Sequence, residues 1–333
     1  MIVSNHYIPK LLEFAYNKPT KVTDTLIIVD EMHHLGETRY KSIGKSEQEE
    51  DEEIEPSLEG FVEGMFQPFL LRLGLSATPW SPYDDLRNQL LVDNFVNRDR
   101  KISELGDEWE QVLNDEKDVF YFGLEDGIRK GILCEFDYTP LEYTPSEADF
   151  EERKKAFKKI PRDLPEHLRE KMGRIQAARV FKKSRQKIPP FSEWLTKHGD
   201  LSRCILFVAD TKFGRDVTKK LSETHQIYHF REFFQGEDMD TLRRFARGEL
   251  DLLIACERIS EGVDIQTVDT IVLFSSNAGR RETIQRIGRA LRITEDNPGK
   301  RAEIVDFIYD EGEQGSDNRR KKWLEEISKI KRE

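Results

Sequence analysis

The chain has 333 residues, 37% hydrophobic and 35% charged, with a formal net charge of −11. That length suffices for two domains with real cores. No apolar run approaches the roughly 20 residues needed to span a bilayer, which excludes a membrane-spanning class. Met1–His6 has neither the basic region nor the small-residue cleavage site of a signal peptide, so a cytoplasmic location is expected. Cys134, Cys204 and Cys256 are odd in number and widely spaced, against a disulfide framework or a cysteine zinc site. The acidic balance argues against a general polyanion binder, although local distribution outweighs the total.

In chain order, the first feature is an apolar strand, Leu26–Val29, ending in Asp30-Glu31-Met32-His33. A run from Glu47 to Glu55, almost entirely acidic, reads as a solvated insertion near residues 45–56. A second strand, Leu73–Ser76, leads into Ser76-Ala77-Thr78-Pro79, and Asp99–Glu116 reads as surface helix. Thr144–Arg185 is helical in propensity and broken at Pro161 and Pro165, with Pro189-Pro190 as a boundary. Basic residues gather at Arg153–Lys159, Arg179–Lys187 and Arg319–Lys322, each reading as a solvated helix face. Beyond the boundary, strands are expected at Cys204–Val208, Gln226–Phe230, Leu252–Cys256, Thr270–Phe274 and Glu303–Ile308. Helices at Lys212–Leu221, Asp240–Arg247 and Arg281–Arg292 alternate with them. That alternation implies crossover connections and a mostly parallel sheet covered on both faces.

The fold class is therefore α/β with two parallel-sheet domains. The first covers 1–143, a helical arm or linker 144–190, the second domain 191–310, and a charged helix or tail 311–333.

Several segments carry residues suited to nucleotide chemistry. Asp30 and Glu31 stand at the carboxyl end of a strand, where open α/β sheets place ligands. Asp30 there can hold Mg²⁺, and Glu31 can orient or deprotonate an attacking water; an ordinary strand-end turn has the same composition. The hydroxyls of Ser76 and Thr78 can bond a carboxylate, or simply set a turn. After the Leu252–Cys256 strand, Asp264 suits a ribose, Ser260 a nucleic acid, and Gly262 a close backbone approach. Thr211 opens a helix whose amino end can receive a phosphate. In Gln285-Arg286-Ile287-Gly288-Arg289-Ala290-Leu291-Arg292, Arg289 and Arg292 lie three apart on one helical face and can converge on a phosphate cluster.

Taken in order, Asp30-Glu31-Met32-His33, Gly74–Pro79, Phe207–Thr211, Cys256–Ile265 and Gln285–Arg292 resemble the motifs of superfamily 2 DExH-type helicases and translocases. They look like the DNA motors found in restriction-enzyme motor subunits and nucleotide-excision-repair helicases. The resemblance runs from about residue 3 to residue 308. It implies two RecA-like lobes, ATP and Mg²⁺ between them, DNA as partner, and translocation or unwinding driven by hydrolysis. In that setting Asp30 holds Mg²⁺, Glu31 handles the water, and Arg292, then Arg289, is the arginine finger. Gln285, Gly262 and Asp264 adjoin the nucleotide, while His33, Ser76 and Thr78 couple the motifs. Ser260, Thr211 and Arg286 face nucleic acid, or Arg286 pairs with an acidic residue across the cleft.

The departure from the pattern is that no Gly-x-x-x-x-Gly-Lys-Ser/Thr occurs, and only 29 residues precede Asp30. The expectation is a first lobe lacking its phosphate loop, weak or absent ATPase activity in the isolated chain, and either another polypeptide supplying the loop or a truncated remnant whose second domain is its only robust part. The alternative is a non-catalytic nucleic-acid-binding or scaffold protein that retains the helicase architecture.

Overall fold

The structure, a computed structural model, describes residues 8–32, 35, 65–80, 85–96, 101–105, 109–160, 166–198, 201, 203–225, 229–233, 239–256, 268–275, 280–293, 297–312 and 315–333. Two compact units divide between Tyr121 and Phe122, and each is described by itself.

In the first unit, helix α1 (Ile8–Asn17) precedes strand β1 (Leu26–Val29), strand β2 (Leu71–Gly74), helix α2 (Asp85–Leu91) and helix α3 (Trp109–Asn114). A π-helical turn, Val92–Val96, continues α2. Strands β1 and β2 pair in parallel, Leu26 opposite Leu71 and Val29 opposite Gly74. One side of this sheet packs on Leu12, Ala15, Phe66 and Leu91. The other presents Leu26, Ile28, Leu71 and Leu73 to solvent, continued by Leu75. Within Asp99–Glu116, the described residues form a 3-10 turn at Ile102–Glu104 and the helix α3.

The second unit begins with helix α4 (Leu124–Arg129) and strand β3 (Glu135–Glu142). Helices α5 (Glu147–Lys158), α6 (Glu166–Lys182) and α7 (Ile188–His198) follow, matching the expected helical stretch. Next come β4 (Cys204–Phe207), α8 (Thr211–His225), β5 (Phe230–Phe233), α9 (Met239–Ala246), β6 (Leu252–Ala255), β7 (Thr270–Leu273), α10 (Arg280–Ala290), β8 (Arg301–Ile308) and α11 (Ser316–Ser328). The strands form one parallel sheet in the order β3-β8-β7-β4-β6-β5.

Alternation of side chains splits this sheet into two cores. Ile205, Phe207, Leu253 and Ile271 face Ile287 of α10, Phe245 of α9 and Leu324 of α11. Leu206, Ile254, Val272 and Phe307 face Phe191 of α7 and Val217 of α8. A strand buried on both sides reads as an unbroken apolar run, which is why β4, β6 and β7 were legible. The two parallel sheets, the first the smaller, form the expected pair of RecA-like domains.

Three details differ from the sequence reading. β3, within the stretch assigned to the first domain, is the edge strand of the second sheet, paired along its length with β8. Pro189 and Pro190 do not end an element; they lie in the first turn of α7, where a missing N–H costs nothing. The basic runs are also not wholly solvated, since Lys187 and Arg320 are buried. The acidic run Glu47–Glu55 lies outside the described residues.

Candidate functional site

In the first unit the ends of β1 and β2 are tied together past their pairing. Leu75 donates its N–H to the Val29 carbonyl at 2.8 Å, and Met32 donates to the Leu75 carbonyl at 2.9 Å. These bonds bring Asp30-Glu31 beside the segment that carries Ser76 and Thr78. Glu31 adopts a φ of 48°, an uncommon left-handed conformation outside glycine. Its N–H bonds Asp30 Oδ1 at 2.9 Å, a local bond that favours this tight turn. Gly74 makes room for it: a Cβ there would stand 2.2 Å from Met32 Sδ and 3.2 Å from the Phe95 ring. The Thr78 N–H donates to Ser76 Oγ at 3.1 Å, while Thr78 Oγ1 is buried and meets no hydrogen-bond partner among the described residues. Arg87 holds the loop through the Pro79 carbonyl at 3.1 Å. His33 lies outside the described residues.

Among the described residues no group of three or more His, Cys, Asp or Glu could hold a metal by itself. Asp30, at the end of β1, offers a carboxylate of the hard-oxygen kind that Mg²⁺ takes.

In the second unit the chemistry gathers on α10. Arg286 is 0% exposed. Its guanidinium donates to the Ser275 carbonyl, pairs with Glu282, and lies 4.7 Å from the Phe207 ring centroid. It therefore sits in the interior, not on a surface open to nucleic acid. Arg289 is buried, Gln285 is half-buried and Arg292 is exposed. Arg292 lies two residues beyond the end of α10, in an antiparallel bridge with Leu133. The Leu291 N–H still bonds the Ile287 carbonyl at 3.1 Å, so Arg292 leaves directly from the last turn.

The end of that helix is capped from far away in the chain. Helices leave their last carbonyls without intrahelical donors. Here Cys134 Sγ meets the Ala290 carbonyl at 3.7 Å, the Cys134 N–H meets that of Leu291 at 2.8 Å, and Lys300 Nζ meets that of Arg292 at 3.1 Å. Lys300 is itself buried, bonded to the Val268 carbonyl before β7 and 3.5 Å from Asp269 Oδ1. At the other end of β7, Lys187 Nζ donates to the Phe274 carbonyl at 2.7 Å and lies 5.1 Å from the Tyr143 ring. Burial pushes the Lys187 ammonium down to about 7. Three buried cations, Lys187, Arg286 and Lys300, thus brace the β7–α10 unit at both ends. Sequence reasoning missed Lys187, Lys300 and Cys134, because their partners are carbonyls remote in sequence and no motif marks them.

Thr211 is the first residue of α8. Asp210, just before it, accepts the Phe213 N–H at 2.8 Å and pairs with Lys183 at 3.0 Å. Burial pulls the Asp210 carboxyl upward, but these bonds outweigh it and hold the group below the usual carboxylate range. Ser260, Gly262 and Asp264 lie outside the described residues.

Residues 186–294 match the family described as helicase conserved C-terminal domain. IRC3 of Saccharomyces cerevisiae is 22% identical over 285 residues, 85% of this chain and 34% of its own length. The ATP-dependent DNA helicase mph1 of Sclerotinia sclerotiorum is 28% identical over 113 residues, 34% of this chain and 8% of its own. The DNA 3'-5' translocase XPB2 of Sulfurisphaera tokodaii is 24% identical over 280 residues, 80% of this chain and 55% of its own. The chain thus spans about half or less of the length of each of these relatives. Residues 186–294 form a superfamily 2 helicase-like C-terminal domain, homologous to those of the superfamily 2 helicases.

Proposed function

We propose that this chain is part of a DNA-dependent ATPase of the DExH type, which couples ATP hydrolysis to translocation or unwinding. Homology of the second unit to nucleic-acid motors supports ATP-driven activity in general, and two relatives named for DNA support DNA as the track. The observation that carries the reading is the end of α10 in the matched domain, where the carbonyls of Ala290, Leu291 and Arg292 are all bonded and so anchor the backbone from which the exposed Arg292 side chain leaves. A cation carried on an anchored backbone suits the charge that grows on a transferring phosphoryl group.

Bound ATP with Mg²⁺ supplies the scissile phosphoanhydride and the charge to be stabilised. Asp30 serves as metal ligand and Glu31 orients and deprotonates water. Arg292 is the finger and Arg289 supports it. Gln285, Gly262 and Asp264 neighbour the nucleotide, and His33, Ser76 and Thr78 relay its state. Ser260 and Thr211 meet nucleic acid. Arg286 acts as an internal brace for α10.

No Gly-x-x-x-x-Gly-Lys-Ser/Thr occurs in the 333 residues, so catalysis requires a phosphate-gripping segment beyond them, on this polypeptide or another. The open aliphatic face of the β1–β2 sheet supports this, because parallel sheets occur with both faces covered. The test is Mg²⁺-dependent ATP hydrolysis, with and without DNA, by this chain alone and joined to a segment bearing the loop. Activity only in the joined form supports the proposal. Equal activity in both sinks the required-segment claim, and none in either favours a non-catalytic scaffold.

A further inference from the structure

We infer that the carboxyl-terminal half of α5, with Phe157 set among Arg153, Lys154, Lys155, Lys158 and Lys159, is a docking surface for single-stranded nucleic acid. The inference rests on the reading of the chain as a nucleic-acid motor and adds a site outside the β7–α10 unit.

Helix α5 is divided by charge. Its first turn carries Glu147 and Asp149, fixed by the Ser146 capping box, and its last turn carries Lys155 and Lys158. Phe150, Arg153, Lys154, Phe157 and Lys158 line a hollow of about 430 Å³ along one face, as their helical spacing requires. Phe150 is half-buried, packed edge-on to Phe181 and Tyr309. Phe157 is not: it remains 41% exposed.

The ring of Phe157 is nonetheless held. Its edge lies against the backbone of α6, where a Cβ on Gly173 would come within 2.3 Å of Phe157 Cε1. The Arg153 guanidinium lies 5.8 Å from its centroid and is tethered to Glu311 at 3.4 Å. Lys154 pairs with Glu151 at 2.7 Å, and Lys155 and Lys158 act on the same carboxylate, helping to hold it below its ordinary value, so the cations of this turn outnumber the acid they face. In a chain of net charge −11, an exposed, braced aromatic ring amid clustered ammonium groups is a local exception to the acidic total.

Charge complementarity selects a polyanion, and the ring selects one with flat faces to stack. Duplex bases are occupied by their neighbours, so an unstacked strand fits, its bases on Phe157 and its phosphates on the lysines. The shared chemistry is a phosphodiester strand with exposed bases, whether DNA or RNA.

The experiment measures anisotropy of fluorescein-labelled oligothymidine, oligouridine and an abasic strand of equal length with the full chain, across a salt series. Phe157→Leu, which keeps the apolar packing, weakens binding of the base-bearing strands about tenfold and leaves the abasic strand unchanged. Phe157→Trp restores binding. Changing Lys155, Lys158 and Lys159 together to Gln lowers the log–log salt slope by about two. Thermal melts establish that each variant is folded. Which of oligothymidine and oligouridine binds more tightly names the source of the strand. Wild-type binding retained in all variants, or equal losses on base-bearing and abasic strands, overturns the docking site and leaves the motor reading standing. Tighter binding of polyglutamate than of either oligonucleotide also overturns it. No strand binding by the unaltered chain overturns the docking site, while ATP hydrolysis by the joined form decides the motor reading separately.

Discussion

Arg286 and Arg292 stand six residues apart, and their surroundings give them opposite duties. Arg286 is wholly buried between the Ser275 carbonyl, Glu282 and the Phe207 ring. Removing it leaves a buried carbonyl and a half-buried carboxylate without their donor, so Arg286→Ala is expected to cost about 3 kcal/mol in urea unfolding. Arg292 is exposed, and Arg292→Ala should shift the same transition by less than about 0.5 kcal/mol. Equal costs would contradict the division. Lys187 gives a pH prediction. Burial lowers its folded value to about 7, below its unfolded one, so between those values the unfolded chain binds the extra proton. Stability from this group therefore rises with pH from about 7 toward its ordinary value near 10.5. Asp306, Asp317, Arg320 and Lys182 share its surroundings, so the comparison with Lys187→Met is what isolates its own contribution. Melting of Lys187→Met across pH 7 to 10 should lack the rise that the wild type shows; identical profiles would contradict it. Neither burial was legible in the sequence. A lysine in a basic run reads as solvated because burying a charge is costly, and the Phe274 carbonyl that receives Lys187 is 87 positions away.

At the scale of elements, the legible pieces were those buried on both sides. β4, β6 and β7 announced themselves as apolar runs, and α10 by its arginines. β3 did not, because it is an edge: Glu135 and Asp137 alternate with Phe136 and Tyr138, and Pro140 interrupts the pattern. Proline is tolerated in an edge strand, and the register is fixed by β8 and by charge. Arg301 of β8 bonds Asp137 at 2.7 and 2.6 Å and Glu135 at 2.6 Å, while Lys331 reaches Glu135 at 2.9 Å. Hydrogen bonds from Lys331, the Arg332 amide and Arg301 hold the Glu135 carboxyl down to about 2. Because the folded value is depressed, the stability it confers is present above the ordinary glutamate value and is lost as pH falls toward 2. NMR titration should place the Glu135 midpoint near 2, and Arg301→Met should raise it. An ordinary midpoint in the wild type would break this account of how β3 is held. Helix α11, whose basic run suggests a solvated helix or tail, is tied to the same edge by Arg320, bonded to the buried Asp306 at 2.7 and 3.1 Å.

For the whole molecule, the α/β class and the two parallel sheets followed from alternating apolar runs, and the order of motifs pointed to superfamily 2. What the sequence could not convey was the bracing of the arginine helix, since Cys134, Lys187 and Lys300 act on carbonyls that any residue type provides. No helix among the described residues is long and apolar enough to cross a membrane. The central claim is that Arg292, its backbone anchored by that bracing, stabilises phosphoryl transfer once the phosphate-gripping segment is present. The most direct measurement is kcat and KM for DNA-stimulated ATP hydrolysis by the protein joined to that segment, comparing wild type, Arg292→Lys and Arg292→Ala. The account predicts that Arg292→Ala lowers kcat about 10³-fold with little change in KM, and that Arg292→Lys recovers only part. An unchanged kcat in Arg292→Ala would contradict it.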